Sequence, residues 1–401
     1  MDTPDGPRDN PGDDPFGGLP IFGDLARMLR QQLSSQSGGG QWEMARQFGV
    51  QVATEGRTEA TVDPMVRIRL EELARVAELH VATVTGLQLP TSPGGLVEAV
   101  TRTGWVNRSL TDLRSLLERL SNSLGRPTEE APDPADPLAM LAPLLDMMAP
   151  MMVGLSAGSM VGNLARRSFG QYDLPVPRPL DKPVLVVPAN IDGFAEDWSL
   201  PVDDVRLWVC VHELAHHAVL GVPHIRQRLE TLLAEYADGF DPSGGDLPGR
   251  LDDLDPSRLD DPEALAGMLG SPDVLLGALR SPAQEAMLPS LEAVVAVVAG
   301  YVDHVIDVVG DRVLGDDGQL TEALRRRRVE ASGADRFVER LLGLELTQTQ
   351  YDRGRRFVDG VVERAGAEAL QRLFDDERTL PTPAEVDAPG LWLARIDLPD
   401  A

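Results

Sequence analysis

The segment Val209–Leu220, VCVHELAHHAVL, constrains this chain more than any other. A helix that is apolar around most of its surface belongs inside a protein, so His212, Glu213, His216 and His217 must find partners there. Pro201, Val202, Asp203 and Asp204 read as a helix start, with carboxylates at the positive end of the dipole. Gly221, with Pro223 just beyond, reads as its stop. A buried helix is therefore predicted from about 201 to 220. Cys210, the only cysteine, lies in this run and is expected to be a buried structural thiol. One cysteine excludes an internal disulfide and a Cys-based zinc or iron–sulfur site.

The rest of the chain is also written mainly in helical periodicity. Aromatic residues make up only 4% of it, so aliphatic side chains and Met must fill the core. Amphipathic runs predict helices over Met65–Leu87 and Trp105–Leu124, the latter with Asn107 as a cap. Leu138–Ala165 is apolar but holds Pro143, Asp146, Pro150 and Asn163, which favours a buried helical hairpin over a membrane span. Within it Gly154, Gly158 and Gly162 recur every four residues, a spacing that lets a neighbouring helix approach closely. The best strand is Pro183–Ile191, where Pro188 suits an edge position. Further helices are expected over Pro282–Val309, Leu320–Arg328, Ala334–Leu342 and Thr347–Phe374.

The expected fold class is mainly α (α+β), helical with a small sheet. Residues 1–40 read as a disordered arm in which only Phe22–Leu33 could be helical, 41–180 as a helical region packing on the core, 181–380 as the core, and 381–401 as a polar tail. Residues 127–137 read as a linker and 238–264 as an acidic loop. A net charge of −27 repels nucleic acid and anionic membranes, so neither is an expected partner. The arginine run Arg325–Arg328 reads as a helix face pairing with the acidic surface. The N-terminus lacks the basic start and apolar run of a signal peptide, from which a cytoplasmic location is expected.

His212 and His216 are four apart, so on a helix they share one face and can share a metal. Glu213 follows the first and can reach a metal-bound water as general base, the ion lowering the pKa of that water and polarising a substrate carbonyl. The alternative is a pair of core histidines satisfied by their neighbours. His217, about 100° around the helix from His216, falls off that face. A third protein ligand is needed. The pattern that supplies a later histidine fails, because Val219 and Val222 hold the required positions. Two other sources remain open on spacing: Glu235, and the apolar helix Leu291–Val309 with Asp303, His304 and Asp307. The plain reading of these last residues is exposure to solvent or pairing with Arg312 or Arg325.

DPFGGLP (14–20), PANIDGFAEDWSLP (188–201), RLWVCVHELAHHAVLGVPHIR (206–226), GYVDHVID (300–307) and GLWLARIDLP (390–399) together resemble the type 2 zincin-like metallopeptidases. The resemblance implies a zincin-like core over 181–380, a zinc ion held by His212 and His216, and hydrolysis of a peptide or protein substrate with Glu213 as base. In that family a glutamate opening an E-G-x-x-D pattern is the expected third ligand; here the position is Ala299, and Asp303 matches the second carboxylate. Asp303 is therefore the candidate third ligand, and Tyr301, His304 and His224 are candidates for oxyanion or substrate contact. The alternative is a degenerate zincin with little or no zinc, acting as a peptide-binding or scaffold protein.

Overall fold

The computed structural model describes residues 40–90, 92–124, 142–240, 281–313, 318–329, 333–344 and 346–398. The candidate helix Phe22–Leu33, the linker 127–137 and all but the first residues of the acidic loop lie outside them.

Helices α1 (Gly40–Thr54) and α5 (Ala142–Arg167) run side by side in the same direction. The glycine strip of α5 is what allows this. A Cβ on Gly154 would come within 2.6 Å of the Gln41 carbonyl, and one on Gly162 within 2.6 Å of the Gly49 carbonyl. Any larger residue would push the backbones apart. The hairpin expected over 138–165 is instead one continuous helix from Ala142 on, because Pro150 is accommodated within it. Between these two helices in sequence lie α2 (Pro64–Thr85), β1 (Val97–Ala99), α3 (Arg102–Asp112) and α4 (Arg114–Leu124). α2 starts on the Asp63 carboxylate, which accepts from Met65 N, and ends at left-handed Gly86. The single helix predicted over Trp105–Leu124 breaks at Leu113, and its start is capped by Thr101, not Asn107. Asn107 lies inside α3.

β2 (Val184–Val186) pairs parallel with β1, Val97 opposite Val184, and Gly170 bridges its other side antiparallel at Val186. This strand is shorter than predicted and is paired on both sides. Pro188 is not in it: it opens α6 (Pro188–Asp197), where the missing N–H costs nothing.

α7 (Val202–Val219) is the predicted buried helix, packed against α2, α6, α9 (Pro282–Val313) and β2, while α8 (Pro223–Asp238) follows it directly and packs on α9. α9 is long and apolar enough to cross a membrane by composition, yet most of that stretch is buried against its neighbours. α10 (Gly318–Val329) and α11 (Gly333–Leu341) lead into α12 (Gln348–Ala365), which crosses α9 closely. The region read as a polar tail is folded. Two 3₁₀ turns over Ala367–Phe374 and Glu377–Thr379 precede α13 (Pro383–Asp387) and α14 (Pro389–Ile396). Trp392 of α14 is fully buried edge-on to Phe357 at 5.4 Å and donates to the Thr379 carbonyl at 2.6 Å. Its apolar surface and its N–H are both satisfied, which is why the segment stays down.

Candidate active site

The helical spacing of α7 brings the His212 and His216 rings together, centroids 4.4 Å apart. Each is stacked on a second ring. Trp208, one turn before His212, lies 5.1 Å from it, and Tyr172 lies 5.7 Å from His216 and nearly parallel. Burial pushes the His212 imidazole down to about 4 and His216 well below the ordinary histidine range, so both are neutral at neutral pH. His216 Nδ1 lies 3.0 Å from the His212 carbonyl, which only accepts, so this nitrogen carries the hydrogen and Nε2 keeps its lone pair. His212 Nδ1 faces Glu213 Oε1 at 3.1 Å, a contact in which either group can hold the proton; with it on Nδ1, the His212 Nε2 lone pair is free as well. His217 turns away, as its place on the helix predicted, and meets the Tyr172 hydroxyl at 2.8 Å.

Glu213 is enclosed. It has no exposed surface, and its Oε2 accepts from the backbone N–H of Gln171 at 2.8 Å and of Tyr172 at 2.9 Å. The turn that provides these donors is anchored by the sheet: Gly170 bridges Val186, and Leu185 N donates to the Gln171 side chain at 3.0 Å. Gly170 leaves the space the carboxylate fills, since a Cβ there would fall 2.7 Å from Glu213 Cγ and nearer still to the carboxyl itself. Burial pushes this carboxyl up to about 8, the nearby Asp173 adds to the rise, and the two backbone donors oppose it. Cys210, also buried, is pushed up to about 12 by burial and is an inert thiol.

The two imidazoles line a pocket of about 30 Å³ with Tyr172, Asp173, Trp208, Ala299, Asp303, Arg327, Arg328 and Tyr351. Trp208, Asp303, Leu324, Arg328 and Tyr351 also line an adjoining cleft of about 180 Å³, so the small pocket sits at its inner end. Two ion pairs brace the walls. Asp303 takes both ends of the Arg328 guanidinium, at 2.6 and 2.8 Å, and Asp173 takes Arg327 at 2.8 Å. Burial alone would raise both carboxyls, but the arginines hold them below the usual range. Arg328 also stacks on Tyr351, 4.6 Å from its ring centroid.

The sequence reading placed other residues at this site that the fold takes elsewhere. Tyr301 is buried against Phe374 at 5.0 Å and lines an apolar cavity with Val219, Ile225 and Leu373. His304 lies on the Tyr301 side of α9, 6.5 Å from that ring, and does not line the pocket. His224 donates Nε2–H to the Leu373 carbonyl at 3.0 Å. Glu235 is exposed on α8. Asp307 pairs with Arg355, so the carboxylates of α9 do form ion pairs, with different arginines from those foreseen. Of the pocket residues missed, Trp208 was findable from its position one turn before His212. Tyr172 and Asp173 lie in an irregular turn that periodicity does not reveal, and Arg327 and Arg328 were assigned to the surface.

A divalent metal would find part of a ligand set here. Two neutral imidazoles with engaged Nδ1 atoms match what a metal requires of histidine. The third position does not match. Ala299 has no donor atom, Asp303 is committed to Arg328, and among the described residues no three His, Cys, Asp or Glu side chains stand close enough to share an ion. The residues fit an ion held by two histidines and completed from outside the protein, not a three-ligand zinc centre.

Among curated proteins nothing matches this chain. Its structure resembles a crystal structure from Chloroflexus aurantiacus described as "a putative hydrolase with a novel fold", at a TM-score of 0.64 and 22% identity, over 90% of this chain and 99% of that one. The likeness is one of fold. The sequence profile of the zincin-like metallopeptidases matches residues 41–393, and the chain belongs to that family.

Proposed function

We propose that the chain is a hydrolase of the metallopeptidase kind, acting on a peptide or protein at the inner end of the 180 Å³ cleft, with His212 and His216 as the metal-holding pair. The observation that carries this reading is the pair itself: two neutral imidazoles share one pocket, each with its Nδ1 engaged. When held there, a divalent ion supplies Lewis-acid polarisation of a peptide carbonyl. Trp208 and Tyr172 flank the pair and keep the imidazoles from turning. Tyr351, whose hydroxyl burial pushes up to about 12, stays protonated and stands with Arg328 where pocket and cleft join. Both are donors for a carbonyl oxygen gaining negative charge. Glu213 orients His212 through Nδ1, because its enclosed carboxylate is turned to the 170–172 turn.

A second reading, a peptide-binding protein that has lost the chemistry, is favoured by Ala299, by the Asp303–Arg328 pair and by the enclosure of Glu213. Elemental analysis of the purified protein beside His212→Ala, followed by mass-spectrometric cleavage of a peptide library with and without chelator, separates the two. Metal lost in His212→Ala together with chelator-sensitive cleavage supports a hydrolase. No metal and no cleavage sinks it in favour of the binding protein.

A further inference from the structure

A second, wider cleft of about 740 Å³ lies at the C-terminal ends of α1 and α5, bounded by the start of α3, by α6 and by Arg327 of α10. Its lining is rich in arginine in an otherwise acidic molecule. The chain has 64 acidic and 37 basic residues, yet Arg102, Arg166, Arg167 and Arg327 line this cleft with two carboxylates, Glu55 and Asp197, and Arg327 is matched from outside the lining by Asp173. Arg166 pairs with Glu55 at 2.5 Å. Arg102 has no carboxylate on its guanidinium among the described residues; its Nε donates to Asn190 Oδ1 at 2.7 Å. Asn190 is buried and is itself fixed, its amide donating to the carbonyls of Ala165 at 2.9 Å and Ser168 at 2.7 Å. Arg102 is thus held in place before any ligand arrives, which lowers the entropy cost of binding one.

One wall is aromatic, with Phe169 edge-on to Phe194 at 5.2 Å and Trp198 beyond. Such a lining, cationic on one side and apolar on the other, suits a peptide with acidic and aliphatic side chains. A long nucleic acid would meet the surrounding charge of −27 along its whole length, whereas a short acidic segment meets mainly the arginines of the cleft. Arg327 belongs to both this cleft and the histidine pocket, its guanidinium 3.7 Å from the Phe169 ring centroid. We propose that this cleft binds an acidic peptide segment, with carboxylates on Arg102 and Arg166, and so selects the substrate presented past Arg327 to His212 and His216. The selection step rests on the hydrolase reading; the binding step does not.

Binding is therefore measured in His212→Ala protein, by fluorescence anisotropy, with a labelled peptide of alternating Glu and Leu and its counterpart with Gln for every Glu. The expected result is a preference of about tenfold for the Glu peptide, the size of two exposed charge-assisted contacts. The double variant Arg102→Ala/Arg166→Ala should erase that preference. The single reversal Arg166→Glu, on an exposed side chain, should reduce it even if the double variant is poorly folded, while Arg75→Ala on the outside of α2 should leave it intact. Equal binding of the two peptides, no binding, indifference to Arg166→Glu, or equal competition by a dodecamer of thymidine would each overturn the proposal. Preference for the Glu peptide with no cleavage of it by the wild type would leave the cleft assignment standing and remove the selection step.

Discussion

Replacing Gly170 by alanine tests the assignment of Glu213 most directly. The new methyl would overlap the Glu213 side chain, 2.7 Å from its Cγ and closer to the carboxyl carbon. Neither partner can easily give way. The Gly170 carbonyl accepts from Trp105 Nε1 at 2.8 Å, Val187 N donates to the Phe169 carbonyl at 2.8 Å, and Gly170 itself bridges Val186. Overpacking of a fixed core costs about 1–3 kcal/mol. Displacing the carboxylate would also orphan the Gln171 and Tyr172 N–H groups, at about 1–3 kcal/mol each if it left completely. Partial relaxation places the expected loss at about 3–5 kcal/mol, read as a shift of the urea midpoint by tryptophan fluorescence. The informative comparison is in Glu213→Ala, where the methyl enters vacated space and should cost less than about 1 kcal/mol. The resulting coupling of about 2–4 kcal/mol is well above the scatter between independent sites. If Gly170→Ala is mild, or if it costs the same in both backgrounds, Glu213 does not occupy that space. Its carboxylate would then be free to face the pocket as a base.

Three further outcomes follow from the same geometry. Ala299→Glu supplies the missing donor beside the histidines and should tighten zinc by at least about tenfold in competition with a chromophoric chelator; no gain would mean the pocket cannot admit a third ligand. Arg328→Gln leaves Asp303 half-buried without its cation and should lower stability by about 2–4 kcal/mol in urea, less if Asp303 is made Asn at the same time; equal losses in the single and double variants would show that the pair does not act as one. The Glu213 carboxyl is pushed up from 4.5 to about 8 by burial, so its stabilising contribution is complete below about pH 4.5 and is lost as pH rises through 8. Glu213→Gln keeps an acceptor for the two N–H groups and removes this loss, so its stability relative to wild type should climb between pH 5 and 8, by at most about 1.4 kcal/mol per pH unit. A difference flat over that range would contradict the assigned burial.

What could be read in advance was whatever repeats along one element. The apolar surface of α7 and the four-residue spacing of its histidines fixed both the burial of that helix and the meeting of the two rings. The glycine spacing of α5 likewise foretold a close neighbour, though not that it would be α1, since that pairing joins segments about a hundred residues apart. The two-sided pairing of β2 was hidden for the same reason. Gly170 contributes a single bridge from an irregular turn, and that turn also supplies the donors on Glu213. The packed C-terminus reads as a tail because its composition is polar, while buried Trp392 and Val386 and the Arg353–Asp387 pair hold it down.

α10 shows how local reading divides at a site. Four consecutive arginines spread over about 300° of a helix, so they cannot all face solvent. Arg325 and Arg326 take the outward half and share Glu322, as an acidic surface leads one to expect. Arg327 and Arg328 turn inward to Asp173 and Asp303, at 2.8 and 2.6 Å. Each inward arginine is matched by a carboxylate from a different element, a turn before β2 in one case and α9 in the other. The pocket is therefore nearly balanced in charge: the pull of the two carboxylates on the imidazoles is opposed by the two arginines, and burial keeps His212 and His216 neutral. The same pairs tie up Asp173 and Asp303, the two carboxylates that line the pocket beside Ala299. On the hydrolase reading, a ligand from the cleft that drew Arg328 away from Asp303 would free a third donor, an oxygen, beside the histidine pair.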